Sequence, residues 1–226
     1  MSTALIIAPA TSAGAPEMAQ PTKTTGCTKL RSYAQQSGPR TTKNRSNGEE
    51  QEERLFRQAL FADFACSSNI WLFKAVDPMT GRIIGYADWK VPTKSAMVKK
   101  PEDVNPDHCS TSIAWPTWIN RQLLEKGDAL LNESRDRLLG ERHREDVWKL
   151  RKVVVLPERR GEGVGRQLLE AGVKLIDGEG RDVFLHSTRV ARKLFESSGF
   201  EILEKVEVMD GYCMTAMLRK AHGHVS

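Results

Sequence analysis

The stretch Leu150 to Arg166, LRKVVVLPERRGEGVGR, constrains this chain more than any other part of it. A β-branched run, Val153-Val154-Val155, ends at Leu156-Pro157 and gives way to Arg159-Arg160-Gly161-Glu162-Gly163-Val164-Gly165. Apolar residues then recur at helical spacing as Leu168, Leu169, Val173 and Ile176. Strand, glycine turn and helix are expected in that order. Glycines at every second position let the main chain approach a ligand closely, and free turn amides at a helix N-terminus favour an anion. A phosphate or pyrophosphate is the expected guest.

Spacing separates the families that place a glycine turn after a strand. A Walker loop needs Gly-Lys-Ser/Thr, but Arg166 and Gln167 follow Gly165. A dinucleotide fingerprint needs a small residue at position 166 for helix–strand packing, and arginine is too large. What remains is Arg-x-x-Gly-x-Gly, formed by Arg160, Gly163 and Gly165. This resembles the coenzyme A pyrophosphate loop of the GNAT (Gcn5-related) N-acetyltransferases. Downstream, Asp182 to His186 reads as a strand, Ser187-Thr188 as a helix cap, and Ala191 to Phe200, ARKLFESSGF, resembles the family's Ala-x-x-Leu-Tyr-Glu-x-x-Gly-Phe helix. Upstream, Ile70 to Ala75 and Arg82 to Trp89 flank a turn, Asp77-Pro78-Met79-Thr80-Gly81, like the family's central hairpin.

The resemblance implies an α/β fold: a mixed, mostly antiparallel central sheet of six or seven strands with helices on both faces. At 226 residues, 39% of them hydrophobic, the chain is expected to be one domain over 1–226 with a core at about 70–219. Ala4 to Pro9 reads as an edge strand. Gln20 to Asn47 carries Lys23, Lys29, Arg31, Arg40, Lys43 and Arg45 with no acidic residue, and is expected to be a flexible basic loop at about 20–47. Nucleic-acid binding through that run is the lesser alternative, since Tyr33 alone offers a stacking ring. Glu49 to Phe64 has a helical apolar face (Leu55, Phe56, Ala59, Leu60, Phe64) behind an acidic start. Residues at about 91–140 form the expected helical insertion, leaving through a charged turn, Glu141 to Asp146. With Gly140 and His143 at its exit, this layout resembles a fungal-type subgroup. Trp115 and Trp118 are read as core in preference to pocket.

The net charge of +5 suits a polyanionic ligand and equally suits a soluble basic surface. Cys27, Cys66, Cys109 and Cys213 lie far apart, and Asp107-His108-Cys109 is the nearest approach to a metal pattern, so reduced thiols and no metal are expected. With no signal-like start and no long apolar run, the expected location is the cytoplasm, with the nucleus open.

By the resemblance, acetyl-CoA is the cosubstrate and an amine-bearing acceptor the partner, with no membrane involvement and a monomer or homodimer. Relatives that pair through their C-terminal strands point to Tyr212 to Leu218 for such contact. The main chain of Val153, Val154 and Val155 is expected beside the pantetheine arm. The segment Arg160, Gly161, Glu162, Gly163, Val164, Gly165 and Arg166 is expected around the pyrophosphate. A proton acceptor for the amine is sought at Asp88, with Asp146 and Glu145 next, and at His186, whose ordinary pKa suits proton transfer near neutrality. The family's tyrosine near the leaving sulfur is replaced by Phe195. That leaves a non-catalytic acyl-CoA-binding regulator as the alternative to N-acetyl transfer in a ternary complex.

Overall fold

The computed structural model describes residues 5–10, 47–97, 115–116 and 120–221. The basic stretch up to residue 46, Cys27, Cys109, the Asp107-His108-Cys109 cluster, Trp118 and the side chains of Glu49, Glu50 and His143 lie outside the described residues. In chain order the elements are β1 (Ile6–Pro9), α1 (Asn47–Cys66), β2 (Ile70–Val76), β3 (Ile83–Lys90), α2 (Arg121–Arg144), β4 (Trp148–Val155), a 3-10 turn (Pro157–Arg159), α3 (Val164–Gly178), β5 (Val183–Ser187), α4 (Arg192–Glu196), β6 (Glu201–Met209) and β7 (Tyr212–Arg219).

The strands form one seven-stranded sheet in the order β1-β2-β3-β4-β5-β7-β6. All pairs are antiparallel except β4 with β5. The sheet is therefore mixed and mostly antiparallel, as the resemblance implied. Because β7 lies between β5 and β6, the outer edge of the sheet is β6; β7 pairs with β6 along Tyr212 to Leu218 and with β5 from Thr215 to Arg219.

Period-two burial in the strands sends alternate side chains to two helical layers. On one face, Leu168, Leu169 and Ile176 of α3 and Phe195 of α4 pack with Trp89, Leu150, Leu185 and Met217. At about 1.5–3 kcal/mol for each fully buried aliphatic side chain, this stripe is what fixes α3 to the sheet. On the other face, Phe61 and Phe64 of α1 meet Ile70, Leu72 and Tyr86, while Leu124, Leu131 and Leu139 of α2 cover the β5–β7–β6 side. Polar ties join the layers: Arg219 at the end of β7 grips Asp177 of α3 through two bonds of 2.6 and 2.9 Å, and Glu179 accepts from Ser95 and the Trp148 indole.

Four local expectations need correction. The helix α2 does not stop at Leu139-Gly140: it resumes to Arg144 across a break at Gly140 (φ 66, ψ 169), a conformation open to glycine but not to most residues. Trp115 is not core, since 43% of it is exposed and it packs on Phe56 with the Arg121 guanidinium beside its ring. Leu55 of α1 is also exposed. Ser187-Thr188 does not cap α4, whose first turn has no side-chain cap; the Ser187 hydroxyl donates to the Thr188 carbonyl instead.

Candidate active site at the fork between two parallel strands

The β4–β5 ladder is short. It pairs Trp148 with Val183, Lys149 with Phe184 and Leu150 with Leu185, and then the strands part. On its other side β4 stays paired with β3 as far as Val155 opposite Gly85. Past Leu150, the edge of β4 that faced β5 is therefore open. An antiparallel ladder turns successive main-chain groups to opposite sides. The Leu156 N–H donates to Ile84 of β3, and a Cβ on Gly85 would lie 2.7 Å from the Val154 carbonyl, so Val154 faces β3. Val153 and Val155 consequently turn their N–H and C=O groups into the fork. The Val155 carbonyl already accepts from Arg160 Nε at 3.4 Å on that side.

The fork leads to the glycine turn. Gly161 and Gly163 have φ of 84° and 81°, values that disfavour any side chain, and a Cβ at either would meet nothing within 4 Å. Gly163 caps α3, and the first helical bond of that turn runs from Gln167 to the Gly163 carbonyl. The N–H groups of Val164, Gly165 and Arg166 thus precede the helical ladder. A Cβ on Gly165 would lie 3.5–3.8 Å from side-chain atoms of Leu194, Val155 and Val153, so apolar groups close the α3 side of the fork. The turn is held in place from outside: Arg159 bonds both Asp77 of the β2–β3 turn and Glu162. That bond to Arg159, before any other influence, holds the Asp77 carboxyl below the usual carboxylate range.

Asp88 and His186 flank β4 from either side. Asp88 lies opposite Lys152, is fully buried, and its two carboxyl oxygens have no hydrogen-bond partner among the described residues. Arg151 Nη1 is 3.6 Å away. Burial pushes the Asp88 carboxyl up, outweighing the opposing pull of Arg151, Lys152 and Lys149. His186 is the first residue of β5 beyond the last pair with β4 and packs edge-on against Phe184 at 4.9 Å. Asp146 and Glu145 precede β4 at its other end, where they pair with Arg181 and Lys94, so they do not join this group. Arg151 and Lys152 were not singled out by sequence. Phe195 is buried against Phe200 in the α3-side core, with a ring separation of 5.7 Å.

The arrangement is an open strand edge leading into a row of free amides, with titratable groups on the face opposite α3. It suits a long ligand whose anionic end lies at the helix N-terminus and whose reactive end lies in the fork. No group of His, Cys, Asp and Glu among the described residues has the arrangement of a metal site. No described helix is long and apolar enough to cross a membrane.

The model of a family described as "Acetyltransferase (GNAT) domain" matches residues 105–221, a little over half of the chain. The chain belongs to the GNAT acetyltransferase family. Comparison of the sequence with curated proteins gives no match. Among solved structures, it is similar to a histone acetyltransferase HPA2 and related acetyltransferase from Corynebacterium glutamicum, with 18% identity, a TM-score of 0.55, and coverage of 99% of this chain and 100% of that one. It is similar to mosquito arylalkylamine N-acetyltransferase-like 5b, with 13% identity, a TM-score of 0.57, and coverage of 96% and 100%. It is also similar to PaiA N-acetyltransferase from Thermoplasma acidophilum, solved in complex with coenzyme A, with 12% identity, a TM-score of 0.53, and coverage of 96% and 99%. At these identities the likeness is one of fold.

Proposed function

We propose that this chain, acting as a single domain over 1–226, transfers an acetyl group from acetyl-CoA to an amine of its acceptor within a ternary complex. The observation that carries the reading is the continuity of the open β4 edge at Val153 and Val155 with the free amides of Val164, Gly165 and Arg166. A pyrophosphate fits those amides and the exposed side chains of Arg160 and Arg166 at the turn. The main chain of Val153 and Val155 is available to the pantetheine arm, and one of their N–H groups polarises the acetyl carbonyl. Acetyl-CoA supplies the activated acyl group as a thioester.

The amine must arrive from the α1/α2 face, because Gly165, Leu194 and the valine side chains fill the other side. Asp88 and His186 border that face, and Asp88 is the first candidate to take the amine proton. Its raised pKa brings a carboxylate closer to the range in which a general base works at neutral pH. Direct attack is favoured over an acyl-enzyme because no cysteine lies in the open β4 edge or the glycine turn, and among the described residues Cys66 ends α1 and Cys213 lies in β7. Phe195 has no proton to give the departing sulfur. A thiol pKa of about 8.5 lets the thiolate leave without an acid. The same phenylalanine is what favours the second reading, an acyl-CoA binder without turnover.

The test is release of free thiol from acetyl-CoA when the purified chain is offered a panel of amines, amino acids and peptides. Release with any acceptor supports transfer. Saturable acetyl-CoA binding with no release from the whole panel moves the assignment to the regulator.

A further inference from the structure

A β-bulge interrupts the β3–β4 ladder beside the fork. Asp88 pairs with Lys152 and Trp89 with Leu150, so Arg151 is the extra residue between them. An uninterrupted strand would send Arg151 and Lys152 to opposite faces. Here both take the α1 face. The Arg151 guanidinium lies over the Phe64 ring of α1 at 4.3 Å, Lys152 shares its register position with Asp88, and the flanking Leu150 and Val153 pack on the α3 side. The bulge thus brings two adjacent cations to the face left open for the acceptor, at the first position past the last β4–β5 pair. Bulges near active sites commonly re-aim side chains in this way.

Arg151 is held but not used up. Phe64 fixes one face of its plane, and Asp88 stands 3.6 Å from one nitrogen without a hydrogen bond. Its side chain keeps 26% of its surface exposed. No hydrogen bond engages its N–H groups among the described residues. A planar guanidinium with donors to spare matches a carboxylate in bidentate fashion. The position also sets a distance. Arg151 is two residues before Val153, about 7 Å along an extended strand. Its side chain lies on the acceptor face just before the stretch of β4 where the amine would attack, so a carboxylate carried near that amine comes within its reach.

We infer that Arg151, assisted by Lys152, is a specificity-determining residue that receives a carboxylate carried close to the reacting amine, so that the acceptor is an amino acid or a molecule built like one. This rests on the acetyl-transfer reading of the same fork.

The experiment compares amino acids with their primary amides as acceptors in the thiol-release assay, using the full chain and its Arg151→Gln and Arg151→Lys variants. Acetyl-CoA affinity is followed by calorimetry in each protein. Amides have the more readily deprotonated amine, so a preference for the acids runs against intrinsic reactivity. The expected result is a kcat/KM at least about tenfold higher for the acids, carried by KM. That preference disappears in Arg151→Gln and partly returns in Arg151→Lys, with acetyl-CoA affinity unchanged. Amides that serve as well as acids, an equal loss for both in Arg151→Gln, or no transfer to either series by a protein that binds acetyl-CoA overturns the proposal. Failure to bind acetyl-CoA removes the underlying reading and the proposal with it.

Discussion

The indole of Trp89 in β3 packs against the backbone of Gly172 in α3 so closely that a Cβ on Gly172 would lie 2.3 Å from two ring carbons. Trp89 is wholly buried and belongs to the same cluster as Leu168, Leu169 and Ile176, so neither partner has room to yield. Alanine ordinarily favours a helix over glycine by up to about 1 kcal/mol. At this position overpacking wins. Gly172→Ala should destabilise the fold by about 1–3 kcal/mol in urea denaturation, and adding Trp89→Phe should recover part of the loss. A Gly172→Ala protein as stable as the parent would mean that α3 stands further from the sheet.

Asp88 separates stability from activity. Its folded pKa is raised, so the folded chain binds more protons than the unfolded one over the interval between the two values. Stability then falls as pH rises through that interval. Asp88→Asn should remove this slope and be at least as stable as the parent at pH 7.5. Acetyl transfer should drop by about 10²- to 10⁴-fold, the usual contribution of a general base. Equal rates in the two proteins would discard Asp88 and turn attention to His186.

The glycine turn was legible because its information is local: φ above zero at Gly161 and Gly163 is written in glycine itself. The valine run and the α3 stripe were legible for the same reason of short-range pattern. The fork was not, because it exists only in the register between β4 and β5, where pairing ends at Leu150 opposite Leu185. The need for Gly172 was hidden because its partner, Trp89, lies in a strand far away along the chain. Reading β4 as a regular strand also concealed Arg151 and Lys152, since one extra residue in the ladder decides that both share a face. Trp115 misled because helical spacing alone does not say whether a ring is covered.

The ion pair between Asp77 and Arg159 ties the β2–β3 turn to the glycine turn across the mouth of the fork. Asp77 also accepts from the Met79 N–H at 2.9 Å, so its carboxylate fixes its own turn as well. Asp77→Asn should therefore loosen the glycine turn without touching the acceptor side. Steady-state kinetics should show a several-fold rise in KM for acetyl-CoA with acceptor KM unchanged. A rise in acceptor KM instead would show that the turn does not set cofactor affinity.

Glu204 of β6 anchors α2 by accepting from Arg137 at 2.6 and 2.7 Å and from Ser134 at 2.6 Å. The Arg137 bond chiefly, then the Ser134 bond, holds its carboxyl below the usual range, with a smaller contribution from the charge of His186. A depressed carboxylate pKa stabilises the fold above the unfolded value, and that stabilisation is lost as pH falls through the folded one. Glu204→Gln should lower the urea midpoint at neutral pH, and its difference from the parent should shrink as the solution is acidified through the carboxylate range. A constant difference would mean that the tether acts through packing, not charge.

The central claim, that the fork and its glycine turn hold acetyl-CoA, is tested most directly by calorimetric titration of the parent protein and Gly163→Val. Valine at φ 81° costs about 1–2 kcal/mol of backbone strain, which a stable domain survives, and it disfavours the backbone conformation that presents the amides of the turn. The expected result is saturable one-to-one binding by the parent and none by a variant whose circular dichroism shows it folded. No binding by the parent, or equal affinity in the folded variant, would contradict the account.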